Sequence, residues 1–496
     1  MLASASMKTR LSADRYLCLA LALLLFVSYG ATSVLSHLLM QTGGFDLGIF
    51  DEAVRGYAGL GKPLVALKGV DYNLLGDHFS PILALLAPVY RVFPGPMTLL
   101  LAQAALLAAS VLPVTRLAMR TVGRWGGLAI GLAYGLSWGL WSALAFDFHE
   151  VAFAVPLAAF AAEALVLGRA VAAVCWALPL LLVKEDQGLL VVGIGAYLFV
   201  VLGKRRLGAG LATIALLSMA LAILVLIPLA NPEGKYTYAD TGQWTGDDPL
   251  TRLLLPGAKW ETVATLLAPT LLLALRSPLC VLLVLPLAAR FWSLNPMFWG
   301  TLQHYNAVLM PVLFLALIDG LRRLQMRPVR PAVTSAPAAP VPPAGAVATL
   351  TRPVRNAEPV TRRKLDIALK LVPSGALVVA VAMLPVPSLS SPGSQVANAK
   401  QALSLIPDGA AVAAANRLAP QLTDRCTVSL FPYLTPPGQA APWIRPTAYW
   451  VATLDHPDNF PFPDAQLKRF EEALPSMGYR QVVAGGGVTV YRWVGR

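Results

Sequence analysis

Long uninterrupted runs of apolar residues dominate the chain and alternate with short polar segments. The first run extends from Tyr16 to Met40, about 25 residues, which is long enough to span a bilayer as a helix. Lys8, Arg10 and Arg15 precede it as in a signal peptide, but the apolar part of a signal peptide has only roughly 7–15 residues. We therefore predict an uncleaved first membrane helix.

Further apolar runs follow, so that the pattern predicts about eleven membrane-spanning helices. These runs cover residues 97–119, 126–145, 151–168, 170–183, 187–203, 207–229, 262–275, 277–289, 304–321 and 367–387. They are continuous, whereas strands of a membrane β-barrel alternate apolar and polar residues over about ten positions. The pattern thus predicts an α-helical polytopic membrane protein. The shorter run 81–93, interrupted by Pro88, predicts an interfacial or re-entrant piece of the first large loop.

The polar segments divide the chain into parts of different character. We predict a transmembrane domain (1–322) with a large first outer loop (41–96), a disordered Pro/Ala/Arg-rich cytoplasmic linker (323–365), a last membrane helix (366–387) and an extracytoplasmic α/β domain (388–496). In the last part, VANAKQALSLI and DAQLKRFEEAL predict helices and AAVAAAN predicts a strand. GYRQVVAGGGVTVYRWV predicts two strands joined by a Gly-rich turn.

Composition supports this class of protein, since 56% of the residues are apolar and only 13% are charged. Soluble proteins carry about 25% charged residues, and disordered chains are polar. The net charge of +13 does not require nucleic acid, because Lys and Arg concentrate on the side that the succession of helices makes cytoplasmic. We expect a multi-pass membrane protein with a cytoplasmic N-terminus. The four Cys have no spacing typical of disulfides or zinc sites.

Ionisable residues collect at the predicted outer ends of the membrane helices, although the helices themselves carry few charges. They occupy five segments that are far apart in sequence and comprise Asp46, Asp51, Asp77, His78, Asp147, His149, Glu150, Lys184, Glu185, Arg290, His304 and Tyr305. Each alone is compatible with helix capping, solvation or a weak surface ion pair. Their joint occurrence indicates a site, because ionisable groups at a membrane are costly.

The chemistry of these groups suits transfer from a lipid phosphate. Carboxylates and His can act as general bases, while Lys184, Arg290 and His304 can neutralise a phosphate leaving group. A transporter would instead place charges near the middle of the bilayer. Asp77-His78 and the Asp-x-His at 147–149 offer metal-ligating groups at a spacing that is not specific, so a divalent metal is left open.

The segments FDLGIFDEAV, LLGDHFSPILALLAPVY, DFHEVAFAVP, LLLVKEDQGL and NPMFWGTLQHYNAVLMPVLFLALIDGL together resemble a bacterial polytopic membrane-protein family defined as a domain of unknown function. That family is distantly similar to the GT-C glycosyltransferases, and the resemblance covers roughly residues 40–325. It implies a GT-C-like integral enzyme that uses a polyprenyl-phosphate sugar on the non-cytoplasmic face. It assigns the general base to Asp46 in the first outer loop, with Asp51 of the Asp51-Glu52 pair as the alternative.

We therefore expect a glycosyltransferase-like enzyme of the bacterial inner membrane that transfers a sugar from a polyprenyl-phosphate donor to an extracytoplasmic acceptor. The acceptor or metal region would comprise Asp77, His78, Asp147, His149 and Glu150. Expected partners are membrane lipids and the donor, with no nucleic acid and with protein partners left open. A transporter or flippase of lipid-linked substrate and a non-catalytic envelope scaffold are the alternatives. The hypothesis requires the five segments to meet in one pocket facing the outer leaflet.

Overall fold

The computed structural model describes residues 2–242, 246, 248–326, 359–385, 393–439, 445–455 and 460–495. Most of the predicted linker 323–365 therefore lies outside the described residues, as does the junction 386–392 before the C-terminal domain.

The described part of the N-terminal region is helical, as the sequence predicted. Its α-helices are α1 (Leu2–Leu38), α2 (Ile49–Ala58), α3 (Ala87–Val92), α4 (Pro96–Val122), α5 (Arg124–Gly135), α6 (Trp138–Ala145), α7 (Val151–Val166), α8 (Ala170–Ala177), α9 (Gly188–Val200), α10 (Arg205–Leu221), α11 (Ile227–Ala230), α12 (Pro249–Leu254), α13 (Ala258–Leu267), α14 (Val281–Trp292), α15 (Pro296–Trp299), α16 (Leu309–Met326) and α17 (Pro359–Ala382).

Four helical segments are long and apolar enough to cross a membrane: Ser12–Leu38, Pro96–Val122, Arg124–Ala145 and Arg205–Ala230. Shorter apolar helical segments accompany them at Pro81–Val92, Val151–Val166, Ala170–Leu182, Pro278–Trp292 and Leu369–Ala382. The number of eleven spans stays a prediction. At the centre, every side chain of α16 from Leu309 to Leu321 is buried, as expected for a helix that is apolar on nearly all sides.

The apolar run 126–145 is one predicted span but two helices in the structure. The break falls between α5 and α6, where the carbonyl oxygen of Gly135 lacks a helical partner and accepts hydrogen bonds from two side chains. Tyr29 donates its hydroxyl at 2.5 Å and Trp141 donates its indole N–H at 3.0 Å. These donors satisfy a buried polar group, which allows the kink within an apolar environment.

The described residues of the C-terminal domain form a mixed sheet with two α-helices. Its strands are β1 (Ala411–Ala414), β2 (Thr427–Leu430), β3 (Trp450–Leu454), β4 (Tyr479–Gly485) and β5 (Val488–Trp493), and its helices are α18 (Gly393–Ser404) and α19 (Asp464–Ala473). The strand order is β2-β1-β3-β5-β4. β1 is parallel to β2 and β3, and the remaining neighbours are antiparallel. The predicted hairpin turn is confirmed, with Gly486 and Gly487 at positive φ.

The C-terminal domain packs on the first large loop, which follows α1 and contains α2 and α3. Arg55 of α2 donates from Nη1 to the carbonyl oxygen of Cys426 at 2.9 Å. Glu52 accepts a hydrogen bond from the backbone N–H of Val428 at 3.3 Å. The loop and the C-terminal domain therefore cover the same end of the helical bundle.

Candidate functional site

A cavity of about 560 Å³ lies between this end of the bundle, the first large loop and the C-terminal domain. Ten of the twelve residues selected from the sequence line it: Asp46, Asp77, His78, His149, Glu150, Lys184, Glu185, Arg290, His304 and Tyr305. Apolar side chains such as Leu190 and Val308 form other parts of its wall. The structure thus brings the five remote segments together in one cavity.

Asp46 lies in the segment that connects α1 to α2, and the C-terminal domain fixes this segment. The N–H of Gly44 donates to the carbonyl oxygen of Asn416 at 2.7 Å, and that of Phe45 donates to its side-chain oxygen at 3.0 Å. The Asp46 side chain keeps 22% of its surface accessible. Burial raises the pKa of its carboxyl, and the nearby His149 offsets this only in part.

His149 and Glu150 form a buried pair immediately before α7. His149 Nδ1 lies 2.7 Å from Glu150 Oε2, and the Nζ of Lys184 lies 3.3 Å from Glu150 Oε1. The other ring nitrogen of His149, Nε2, lies 3.8 Å from Asp46 Oδ2. Burial alone would raise the pKa of Glu150, but His149 and Lys184 lower it well below its usual range. Glu150 is therefore a buried carboxylate held by ion contacts with His149 and Lys184.

Gln103, a buried side chain of α4, sets the position of this pair. Its Nε2 donates to the backbone carbonyl of Asp147, and its Oε1 accepts from the N–H of His149 at 3.1 Å. Asp147 has a positive φ of 67°, and its Oδ2 accepts from the N–H of Gly43 at 2.7 Å. Since this carboxylate faces the chain before Asp46, it fixes that segment and does not line the cavity.

A second polar group of the cavity wall surrounds Glu185. Its Oε1 accepts from the hydroxyl of Tyr236 at 3.1 Å and lies 2.7 Å from His78 Nδ1. Burial and Lys184 act to lower the pKa of His78, but Glu185 and Asp77 outweigh them, so that this pKa is raised. His78 therefore gains positive character beside the cavity.

Asp77 is held by groups that the sequence did not single out. Lys68 forms an ion pair with its Oδ2, and Tyr238 donates to its Oδ1 at 3.2 Å. The ring of Tyr238 also stacks on His78, with centroids 4.4 Å apart. Burial acts to raise the pKa of Asp77, but Lys68 and His78 lower it. Asp77 and Lys68 are thus neutralised within the wall.

The guanidinium N–H groups of Arg290 donate hydrogen bonds to other groups of the protein. They donate to the carbonyl oxygens of Phe298 at 2.6 Å and Tyr305 at 3.1 Å, and to the side-chain oxygen of Asn306 at 3.1 Å. Although Arg290 lines the cavity, its predicted role of holding phosphate is not supported by this geometry. It organises the loop that carries His304.

His304 lies face to face with His149, with ring centroids 3.5 Å apart. It is only 3% exposed, and neither of its ring nitrogens has a hydrogen-bond partner among the described residues. Asp46, His149 and His304 form a group whose ligand atoms all lie within 4.8 Å of one another, so it could hold a metal ion. The sequence had indicated two other pairs of candidate metal ligands, Asp77 with His78 and Asp147 with His149.

Asp51 does not reach the cavity, so the sequence-based placement of this residue in the site is wrong. Its Oδ1 accepts from the hydroxyl of Tyr90 at 2.8 Å within the first loop. Burial raises the pKa of Asp51 to about 7, partly offset by hydrogen bonds from Thr423 and Tyr90. Its local role is to hold α3 against α2 within the first loop.

Sequence reasoning missed six residues that shape the site: Lys68, Gln103, Tyr236, Tyr238, Asn416 and Phe460. Phe460 lines the cavity from the C-terminal domain and packs edge-on against Phe45 at 6.4 Å. The tyrosines stand in the polar segment KYTYAD between two apolar runs, which was a usable signal. No local pattern marks Asn416 or Phe460, because only the docking of the domain gives them their place.

Comparisons with known proteins place the chain in a family. Residues 36–439 match the family described as predicted membrane protein DUF2079. The chain belongs to this family. A comparison with curated protein sequences found no match.

Two crystal structures of ArnT from Cupriavidus metallidurans share the fold. The structure bound to undecaprenyl phosphate has a TM-score of 0.53, and the apo structure has a TM-score of 0.50. Each is 14% identical and covers 95% of this chain and 97% of ArnT. The fold is therefore GT-C-like, as the sequence predicted, and the chain is a multi-pass membrane protein with a small C-terminal sheet domain.

Proposed function

We propose that this protein is an integral-membrane glycosyltransferase that moves a sugar from a polyprenyl-phosphate donor to an acceptor outside the cytoplasm. The observation that carries the proposal is the cavity in which Asp46, the His149–Glu150–Lys184 group and His78 with Glu185 meet. The GT-C-like fold, shared with a protein whose crystal structure holds undecaprenyl phosphate, supports the same class of donor.

In this proposal Asp46 acts as the general base. Its carboxylate takes the proton from an acceptor hydroxyl, whose oxygen then forms a bond to the anomeric carbon of the donor sugar. The bond between that carbon and the phosphate oxygen breaks, and its electron pair leaves with the polyprenyl phosphate. A carboxylate that is partly exposed to the cavity can reach a bound hydroxyl, and such proton transfer contributes typically about 10²–10⁴-fold to the rate.

Positive charge for the leaving phosphate comes from the polar walls. Lys184 is buried and protonated, because the surrounding carboxylates raise its pKa despite the effect of burial. His78 lies near it with a raised pKa. Charge-assisted hydrogen bonds from such groups stabilise the charge that develops on a leaving phosphate. The apolar wall that includes Leu190 and Val308 suits the first units of a polyprenyl chain.

The test measures release of polyprenyl phosphate from labelled polyprenyl-phosphate sugars by the purified full-length protein in nanodiscs. We expect release by the wild type and a loss of about 10²–10⁴-fold in Asp46→Asn. The matched control is Asp71→Asn, since Asp71 is an exposed acid of the same loop and does not line the cavity. Full activity in Asp46→Asn removes the assigned base. Movement of labelled lipid across vesicles without release would favour a flippase instead.

A further inference from the structure

We infer that Asp46, His149 and His304 form a binding site for one divalent transition-metal ion. The inference deepens the proposed function and rests on it for the role of the metal, although not for its binding. Three ligand atoms no more than 4.8 Å apart lie within about 2.8 Å of a common point, while metal–ligand bonds measure about 2.0–2.2 Å.

The first independent observation is the state of His304. Both of its ring nitrogens are buried without a hydrogen-bond partner among the described residues. An unsatisfied buried polar group costs about 1–3 kcal/mol, and buried polar atoms are paired in most proteins. The imidazole lies against His149 on the wall of the cavity rather than in an apolar core. A metal ion bound to one of its nitrogens would satisfy it.

The second observation is the orientation of His149. Its Nδ1 lies 2.7 Å from a carboxylate oxygen of Glu150, while its Nε2 points towards Asp46. Histidines that bind metals usually donate their second ring N–H to a carboxylate, which fixes the ring and its tautomer. Lys184 contacts the other oxygen of Glu150 at 3.3 Å, so the supporting carboxylate is itself held in place. A carboxylate therefore lies where the second ring nitrogen of a metal-ligating histidine usually has one, in close ion contact rather than in an aligned hydrogen bond.

Charge balance gives the third argument. The described residues that line the cavity include five carboxylates and three Lys or Arg side chains, and a protonated His78 brings the net charge to −1. The cations Lys68 and Lys184 are already paired, and Arg290 is bound to carbonyl oxygens. A divalent ion bound here would therefore add to the positive charge that Lys184 and His78 offer to a phosphate group.

The ligand set indicates the class of metal. Two imidazoles and one carboxylate suit Zn²⁺, Mn²⁺, Fe²⁺ or Co²⁺ better than Ca²⁺ or Mg²⁺, which prefer oxygen ligands. Three protein ligands leave positions open for substrate oxygens, as in catalytic metal sites. There the ion would act as a Lewis acid on the acceptor hydroxyl or on the donor phosphate.

The binding test uses chelator-treated full-length protein titrated with Co²⁺, whose visible absorption reports coordination, and with Mn²⁺ followed by electron paramagnetic resonance. We expect saturable binding of one ion by the wild type. His304→Gln and Asp46→Asn should abolish it, and Glu150→Gln should weaken it about 10–100-fold. The matched control His78→Gln changes a cavity histidine outside the trio and should bind as the wild type does.

The outcomes separate this inference from the proposed function. Absence of saturable Co²⁺ and Mn²⁺ binding by the wild type overturns the metal site, whether or not sugar transfer is found. Loss of binding in His78→Gln with retention in His304→Gln would place the ion beside Asp77 and also overturn it. Asp46→Asn keeps the test decisive if His304→Gln fails to fold, because Asp46 is partly exposed and its amide has the same shape.

Discussion

The side-chain oxygen of Asn416 accepts a hydrogen bond from the backbone N–H of Phe45 at 3.0 Å, across 371 positions of the chain. The carbonyl oxygen of the same residue accepts from the N–H of Gly44 at 2.7 Å. The C-terminal domain thus holds the segment that presents Asp46. Its docking on the first loop is therefore part of how the cavity is assembled.

We expect Asn416→Ala to loosen this segment, because the N–H of Phe45 would lose its partner. An unsatisfied buried group costs about 1–3 kcal/mol. Hydrogen exchange of the peptide covering residues 43–48 should accelerate, and sugar transfer should fall. Asn398→Ala makes the same substitution at an exposed position of α18 and serves as the control. Unchanged exchange in Asn416→Ala would show that the Asn416 side chain does not position Asp46.

A second prediction concerns the guanidinium of Arg290, which donates hydrogen bonds to Phe298, Tyr305 and Asn306 at the same time. Arg290→Lys keeps the charge but cannot make the same divergent hydrogen bonds. Losing about 1.5–3 kcal/mol of hydrogen-bond energy in the transition state corresponds to a decrease in rate of about 10–100-fold. We expect transfer to fall by that factor and exchange across 298–306 to accelerate. The exposed Arg276→Lys is the matched control, and equal behaviour of both variants would contradict a role in positioning the loop.

The helical fold and the convergence of remote segments could be predicted from the sequence. A long apolar run that crosses a membrane almost always forms a helix, because its backbone must satisfy its own hydrogen bonds. Ionisable side chains at a membrane are costly unless they pair with other polar groups. For the same reason, residues as distant as His78 and His304 could be expected to share a cavity before any contact was known. In the C-terminal domain, both helices and the Gly-rich hairpin had clear local signals.

What the sequence could not show depends on orientation and docking. Asp51 and Asp147 stand next to site residues in the chain, yet their carboxylates face Tyr90 and Gly43 instead of the cavity. Proximity along a loop does not determine side-chain direction. Strands β2 and β3 were not predicted, because they are short and their apolar residues lack a distinctive alternation. Asn416 gains its role only through tertiary contact.

Gly76 gives a prediction about the packing of the first loop. A Cβ at this position would lie 2.5 Å from the backbone nitrogen of Asn231 and 2.6 Å from the backbone of Ala230. Since backbone cannot yield as a flexible side chain does, Gly76→Ala should displace the loop that carries Asp77 and His78. We expect a destabilisation of about 1–3 kcal/mol, seen as a lower Tm. Gly257→Ala, where a Cβ meets open space, should leave the Tm nearly unchanged.

The buried carboxyl of Glu52 leads to a prediction of how the free energy of unfolding depends on pH. Burial raises the pKa of this carboxyl to about 8, although hydrogen bonds from Leu67 and Val428 and the charge of Arg55 act to lower it. Between the unfolded value of 4.5 and about 8, the folded protein therefore keeps a proton that the unfolded chain has lost. The free energy of unfolding must then fall as the pH rises through this window.

Glu52→Gln tests this dependence, because the amide resembles the protonated carboxyl and does not ionise. We expect the Tm of the wild type, measured in detergent, to decline from pH 5 to pH 8 more steeply than that of Glu52→Gln. Some slope should remain in the variant, since Asp51, with a pKa raised to about 7, contributes with the same sign. Glu233→Gln is the control at an exposed acid and should follow the wild type. Parallel Tm profiles for wild type and Glu52→Gln would mean that the Glu52 carboxylate is accommodated in its charged form where the C-terminal domain meets the loop.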